Sequence, residues 1–183
     1  MSRGRRDGGG GGLSVFETER LRAREWTTGD AEAAFEIYRD PEVVRYLGSV
    51  PQPVESVEAM RARIEGWLER NAATRDRGMG VWALETRDGT LLGMTLLKPL
   101  PDAEEVEVGW HLGRAFWGHG YATEGARGAI GYGFETVGLD TVYAVIVAEN
   151  AASLAVARRL GMTYEGPTDR YYGRTLELFS MRA

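Results

Sequence analysis

The sequence predicts one mixed α/β domain: a central, mostly antiparallel sheet with a single parallel βαβ unit and flanking helices. Three observations carry that expectation. Val106, Val108, Trp110 and Leu112 alternate with Glu105, Glu107, Gly109 and His111, the two-residue period of a strand with two different faces. A helix pattern follows, with Ala122, Ala126, Ala129, Ile130 and Phe134 at helical spacing, and then the apolar run Thr141–Val147. Strand, helix and strand in that order make a parallel crossover, which is right-handed. Arg87-Asp-Gly-Thr90 separates the apolar runs 81–86 and 91–97, and Asp-Gly suits the positive φ angles of a hairpin turn.

In chain order, residues 1–12 form a basic tail ending in five glycines, expected to be disordered and apart from a single domain over 13–183. Glu19–Trp26 alternates and reads as a first strand. Thr27-Thr-Gly-Asp30 supplies caps for a helix to about Arg39, with Ala34, Phe35 and Tyr38 on its apolar stripe. Pro41 ends it and begins a short segment to Leu47. Ser56 caps the next helix, striped by Met60, Ile64, Trp67 and Leu68. The near-continuous apolar character of 141–147 suggests a strand buried on both faces. Asn150-Ala-Ala-Ser153 starts a helix that Gly161 stops, and two strands close the chain near 162–165 and 175–182.

Composition narrows the function. The chain of 183 residues has no cysteine, so disulfides, thiolate nucleophiles and cysteine metal sites are excluded. Two histidines are too few for a histidine metal site, and no metal is expected. The net charge of −5 argues against a nucleic-acid partner. It mildly favours a cationic substrate, although solubility alone accounts for it. No apolar run reaches membrane-spanning length, and no apolar segment follows Arg5-Arg6 as in a secretory leader; a cytoplasmic location is expected. Of 22 basic residues only Lys98 is lysine, a bias read as genomic.

The junction between strand 105–112 and its helix is a ready anion site. Glycines leave backbone N–H groups uncovered, and the first N–H groups of a helix lack partners inside it. A Walker-type loop is excluded, because the only lysine precedes Pro99. A dinucleotide fingerprint is a near miss: Gly118-His-Gly120 is followed by Thr123 where the third glycine belongs.

Five pieces in order carry a resemblance: Thr18-Glu-Arg-Leu21, Asp40-Pro-Glu-Val-Val-Arg-Tyr-Leu47, Val108-Gly-Trp-His-Leu112, Trp117-Gly-His-Gly-Tyr-Ala-Thr-Glu124, and Asn150-Ala-Ala-Ser153 with Arg159-Leu-Gly-Met162. Through them residues 16–183 resemble the GNAT superfamily of acyl-CoA-dependent N-acyltransferases, and within it the RimJ/RimL-like ribosomal-protein acetyltransferases. The resemblance implies acetyl-CoA as co-substrate. The superfamily's Gln/Arg-x-x-Gly-x-Gly/Ala loop is here Trp117-x-x-Gly120-x-Ala122, so backbone N–H groups of Trp117, Gly118, His119, Gly120, Tyr121, Ala122 and Thr123 are expected to hold the pyrophosphate. It also implies splayed strands whose free backbone, at Trp110, His111 and Leu112, pairs with pantetheine. Asn150 and Ser153 would reach the pantetheine arm, and Arg159 a CoA phosphate.

Acyl transfer to an amine needs a base, an oxyanion site and a proton for the leaving thiolate. Glu107 is the candidate base, with Glu105 as competitor on the same face; either could instead be a solvated strand carboxylate. A backbone N–H near Leu112 would hold the oxyanion. Ser153 is the candidate acid or sulfur-positioning group, the alternative being a helix cap; the superfamily's tyrosine seven residues after the asparagine is here Ala157. His111 is a second base or a satisfied strand histidine, and His119 a phosphate contact or a solvent-facing loop residue. Trp26 and Tyr46, near chain turns, are the candidates to line the acceptor pocket, the alternative being core packing. The acceptor would be a small-molecule or peptide amine, attacked directly in a ternary complex. A non-catalytic acyl-CoA sensor or interaction module is the alternative. The resemblance also admits a homodimer.

Overall fold

The computed structural model describes residues 12–48 and 52–183. The tail expected over 1–12 lies, apart from Gly12, outside them. The elements are β1 (Ser14–Glu17), β2 (Leu21–Arg24), α1 (Ala31–Tyr38), α2 (Pro41–Val44), α3 (Val57–Thr74), β3 (Gly80–Thr86), β4 (Leu91–Pro99), β5 (Val106–Leu112), α4 (Tyr121–Tyr132), β6 (Thr141–Ile146), α5 (Ala151–Leu160), β7 (Thr163–Thr168) and β8 (Leu176–Arg182). One sheet runs β1-β2-β3-β4-β5-β6-β8-β7. Every neighbouring pair is antiparallel except β5–β6, which α4 connects.

Local chemistry sets the helix starts. Ser56 accepts from the Ala59 N–H at α3, and Asp40 from the Glu42 N–H at α2, with Pro41 in its first turn. At α5 the cap is Asn150, which accepts from the Ser153 N–H; Ser153 is capped and does not cap. Gly161, at φ 84°, stops that helix.

Two apolar layers sandwich the sheet. On one face α4 and α5 bury Ala126, Ala129, Ile130 and Val156 against Val108, Leu112, Val142 and Ala144. On the other, α1 and α3 bury Tyr38, Ile64 and Trp67 against Val81, Met94 and Leu96. Gly125 and Gly128 let α4 lie close to the sheet: a Cβ there would stand 2.6 Å from Leu84 and from Phe16.

Two features add to the expected elements and one departs from expectation. The first strand is a hairpin, because Ser14–Glu17 adds β1 ahead of β2. The chain's last strand, β8, inserts between β6 and β7. The strand expected to be buried on both faces alternates instead: Val142, Ala144 and Ile146 are buried, while Thr141, Tyr143 and Val145 are half-exposed. α1 and α3 lie over β3 and β4, so this second face of β6 is left for a cleft.

Candidate active site

The parallel neighbours β5 and β6 share a single register pair, Glu107 with Tyr143. β6 stays paired to β8 from Thr141 to Ile146, so beyond Tyr143 it is β5 that parts from it. The gap is a cleft of about 290 Å³. One wall is Val108 to His111 of β5, and the other Ala144 to Val147. Gly113 N–H donates to Leu92 C=O, which fixes the parity of the β4–β5 ladder. In an antiparallel ladder alternate residues turn their N–H and C=O to opposite edges, so those of Trp110 and the N–H of Leu112 face the β6 side, while the Leu112 C=O accepts from the Trp117 indole. Asn150 and Ser153 also line the cleft. The Asn150 Oδ1 is spent on the Ser153 N–H, leaving its amide N–H groups to act as donors.

At one end of the gap lies the loop before α4. Gly118 and Gly120 both sit at φ 80°, which side chains rarely adopt. Among the described residues the N–H groups of 118–123 have no protein acceptor; the first bonded amide is Glu124, to Gly120 C=O. This is a cradle for an anion at a helix N-terminus. The β1–β2 turn braces it. Thr18 Oγ1 donates to Glu124 at 2.6 Å, Arg20 pairs with Glu124 and donates to His119 C=O at 3.1 Å, and the Arg20 guanidinium lies 4.7 Å above the Tyr121 ring. Burial opposes ionisation of Glu124, yet the hydrogen bonds from Thr18 and Arg20 outweigh it and hold its carboxyl below the usual range. The Trp117 indole N–H donates to Leu112 C=O at 2.8 Å, so it joins the loop to the end of β5 and is spent within the fold. His119 is exposed, its Nδ1 2.8 Å from Trp117 C=O. Arg159 reaches Thr123 Oγ1 at 3.3 Å, which puts its charge beside the start of α4.

The other end, on the α1–α3 face, is made of side chains. Glu107 meets Lys98 Nζ at 2.8 Å, and the Tyr172 hydroxyl donates to the same carboxylate. Lys98 and Tyr172 also touch each other. Burial first, and then the neighbouring Glu107, raise the Tyr172 hydroxyl well above the ordinary phenol range, so it stays protonated. Tyr172 stands at φ 56°, a strained value for a side chain of its size. Arg174 donates to Tyr46 C=O and Gly48 C=O, and Tyr46 Oη donates to Glu149 C=O at 3.2 Å. The segment after α2 is thereby tied to both rims. His111 lines the cleft, but its Nδ1 is buried without a partner among the described residues, 6.3 Å ring to ring from Tyr38. Burial, then Lys98 and Arg63, push its pKa down to about 4, so it is neutral at pH 7.

Glu107, Trp110, His111, Asn150, Ser153 and Tyr46 thus meet at one cleft. Trp26 does not join them: it is 2% exposed and packs in the core 5.0 Å from Trp67, on the α1–α3 side, where its burial leaves no surface for a ligand. Glu105 is drawn off by Arg170 at 2.5 Å, outside the cleft lining. The sequence reading missed Lys98, Tyr172 and Arg174. Lys98 carried a signal in being the single lysine; Tyr172 and Arg174 carried none, since only the folding of the β7–β8 loop brings them to β5.

The acetyltransferase (GNAT) domain family matches residues 20–163. The chain belongs to the GNAT acetyltransferase family. As a GNAT protein it is an acetyl-CoA-dependent N-acetyltransferase. It is 31% identical over 160 residues to the uncharacterized N-acetyltransferase YoaA of Bacillus subtilis, covering 86% of this chain and 87% of that one. Two solved structures share the fold at lower identity. One is the microcin C7 self immunity acetyltransferase MccE in complex with acetyl-CoA and AMP (TM-score 0.77, 17% identity, 96% and 98% of the two chains). The other is a ribosomal-protein-S5-alanine acetyltransferase from Vibrio fischeri (TM-score 0.70, 17% identity, 93% and 96%). No helix among the described residues is long and apolar enough to cross a membrane.

Proposed function

We propose that this GNAT protein moves acetyl from acetyl-CoA to a primary amine by direct attack in a ternary complex, with the β5–β6 gap as the meeting place. The observation that carries this reading is the single Glu107–Tyr143 pair. It leaves a cleft along β5 that Glu107 and Trp110 both line, the main-chain groups of Trp110 turned into it. MccE, which shares the fold, is solved with acetyl-CoA, and that supports the choice of donor. The pyrophosphate would rest on the amides of residues 118–123, with Arg159 at a phosphate. The pantetheine arm would pair with Trp110 and meet the Asn150 side-chain amide. This binding delivers an activated acetyl group to the cleft.

The chain's own residues do the rest. Glu107 takes the proton of the incoming ammonium, directly or through a water, and Lys98 offsets the carboxylate's charge before the amine arrives. A Leu112 or Trp110 N–H holds the oxyanion. Ser153, whose Oγ has no protein partner among the described residues, gives the departing sulfur a hydrogen bond. The acceptor enters past Tyr46 and Arg174, and is a small-molecule or peptide amine. The reading carries a cytoplasmic location with it, where the co-substrate is at hand.

The test is acetyl-CoA consumption over a panel of peptide N-termini and small amines, with Glu107→Gln beside the parent. Turnover lost in the variant while acetyl-CoA binding persists supports the reading. Equal turnover in both removes Glu107 from the chemistry.

A further inference from the structure

We propose that Lys98 is itself an acetyl acceptor, so that the protein acetylates its own active site in the absence of a better amine. The proposal rests on the acetyl-transfer reading above. Lys98 is the only lysine among 22 basic residues. The arginines are never deprotonated and so offer no nucleophilic nitrogen. A chain that uses arginine almost throughout keeps its one lysine ammonium 2.8 Å from the candidate base. Lys98 lines the same cleft as Trp110, Asn150 and Ser153, where the thioester would end. An amine and a thioester held on one cleft of about 290 Å³ meet at high effective concentration. The side chain is also 31% exposed, so it has freedom to swing.

The step balances. Lys98 Nζ passes a proton to Glu107, and its lone pair attacks the thioester carbonyl carbon. The C–N bond forms and the C–S bond breaks. The nitrogen gives up its second proton as the tetrahedral adduct collapses, and that proton goes to the leaving thiolate, so that free CoA departs, an Nζ-acetyl amide remains and the proton on Glu107 returns to solvent. Nothing is oxidised or reduced. The product no longer carries the charge that pairs with Glu107, and its acetyl group fills part of the acceptor end. The reaction is therefore a self-limiting brake, fastest when acetyl-CoA is plentiful and acceptor scarce.

The experiment incubates the purified full chain with acetyl-CoA, without acceptor, and follows intact mass. Peptide mapping uses a protease that cuts at acidic residues, since a Lys-Pro bond resists the lysine-directed ones. The expected result is one acetyl group on Lys98, its appearance slowed about a hundredfold by Glu107→Gln and absent in Lys98→Arg. Modification at the same rate in the urea-unfolded chain is adventitious chemistry and overturns the proposal. So does an unmodified Lys98 in protein whose melting temperature rises with acetyl-CoA, though the coenzyme reading then stands. An unmodified Lys98 with no rise in melting temperature removes both.

Discussion

The two ends of the β5–β6 cleft are built on different principles. The end proposed for the phosphates is contiguous in sequence: Gly118 to Thr123 present backbone N–H groups, and two residues at φ 80° aim them. The acceptor end is assembled from Tyr46 after α2, Lys98 on β4, Glu107 on β5 and Tyr172 in the β7–β8 loop. Main-chain groups recognise what every member of a family must bind. Side chains gathered from distant segments can change one at a time, which is where the choice of acceptor would be set.

That contrast can be broken by substitution, beginning with the largest expected effect. Glu107→Gln should lower kcat/KM by about a hundredfold or more while leaving the acetyl-CoA Kd within about threefold, measured by calorimetry alongside steady-state rates. A matching loss of coenzyme affinity would show that the two ends are not separate.

The acceptor end should also be the acid-sensitive half. His111 is neutral in the fold, with its pKa pushed down to about 4 by burial, whereas the unfolded chain protonates it near 6.5. Between those values the unfolded state binds more protons. Its stabilising contribution is thus complete above about pH 6.5 and is lost as pH falls toward 4, on the order of 3 kcal/mol in all. Urea melts at pH 7 and pH 4.5 should show a loss that His111→Gln flattens. An unchanged slope in that variant would place the titrating group elsewhere.

At the phosphate end, Gly120→Ala forces a side chain to φ 80°, costing about 1–2 kcal/mol in the left-handed region. The expected outcome is an acetyl-CoA Kd weakened about tenfold, with kcat at saturating coenzyme close to the parent. A fall in kcat with Kd unchanged would reverse the assignment of the two ends. Ser153→Ala, the smallest change, should slow kcat by about tenfold or less, and a thioester with a more acidic leaving thiol should recover the loss. Without that recovery the serine does not serve the sulfur.

Legibility in the sequence follows the same divide. α3 and the β3–β4 hairpin were readable because Ser56, the stripe from Met60 to Leu68 and Asp88-Gly89 act on their own neighbours. The loop before α4 was readable because its open amides are a property of adjacent backbone. β1 escaped because four residues, Ser14–Glu17, become a strand only through pairing with β2. The place of β8 between β6 and β7 escaped because connection order does not fix spatial order. Val145 reads as core, yet it is left half-exposed where β5 turns away. Lys98 faces Glu107 across the β4–β5 hairpin, but Tyr172 joins them from 65 residues away, and no local pattern announces that meeting.

The central claim is that the parting of β5 from β6 receives the coenzyme arm and turns its thioester toward Glu107. A crystal structure of the full chain with acetyl-CoA measures this most directly. The account predicts pantetheine density between Trp110 and Ala144–Ile146, with the pyrophosphate against the amides of residues 118–123. Coenzyme bound elsewhere, or a cleft closed by β5 pairing with β6 beyond Tyr143, would contradict it.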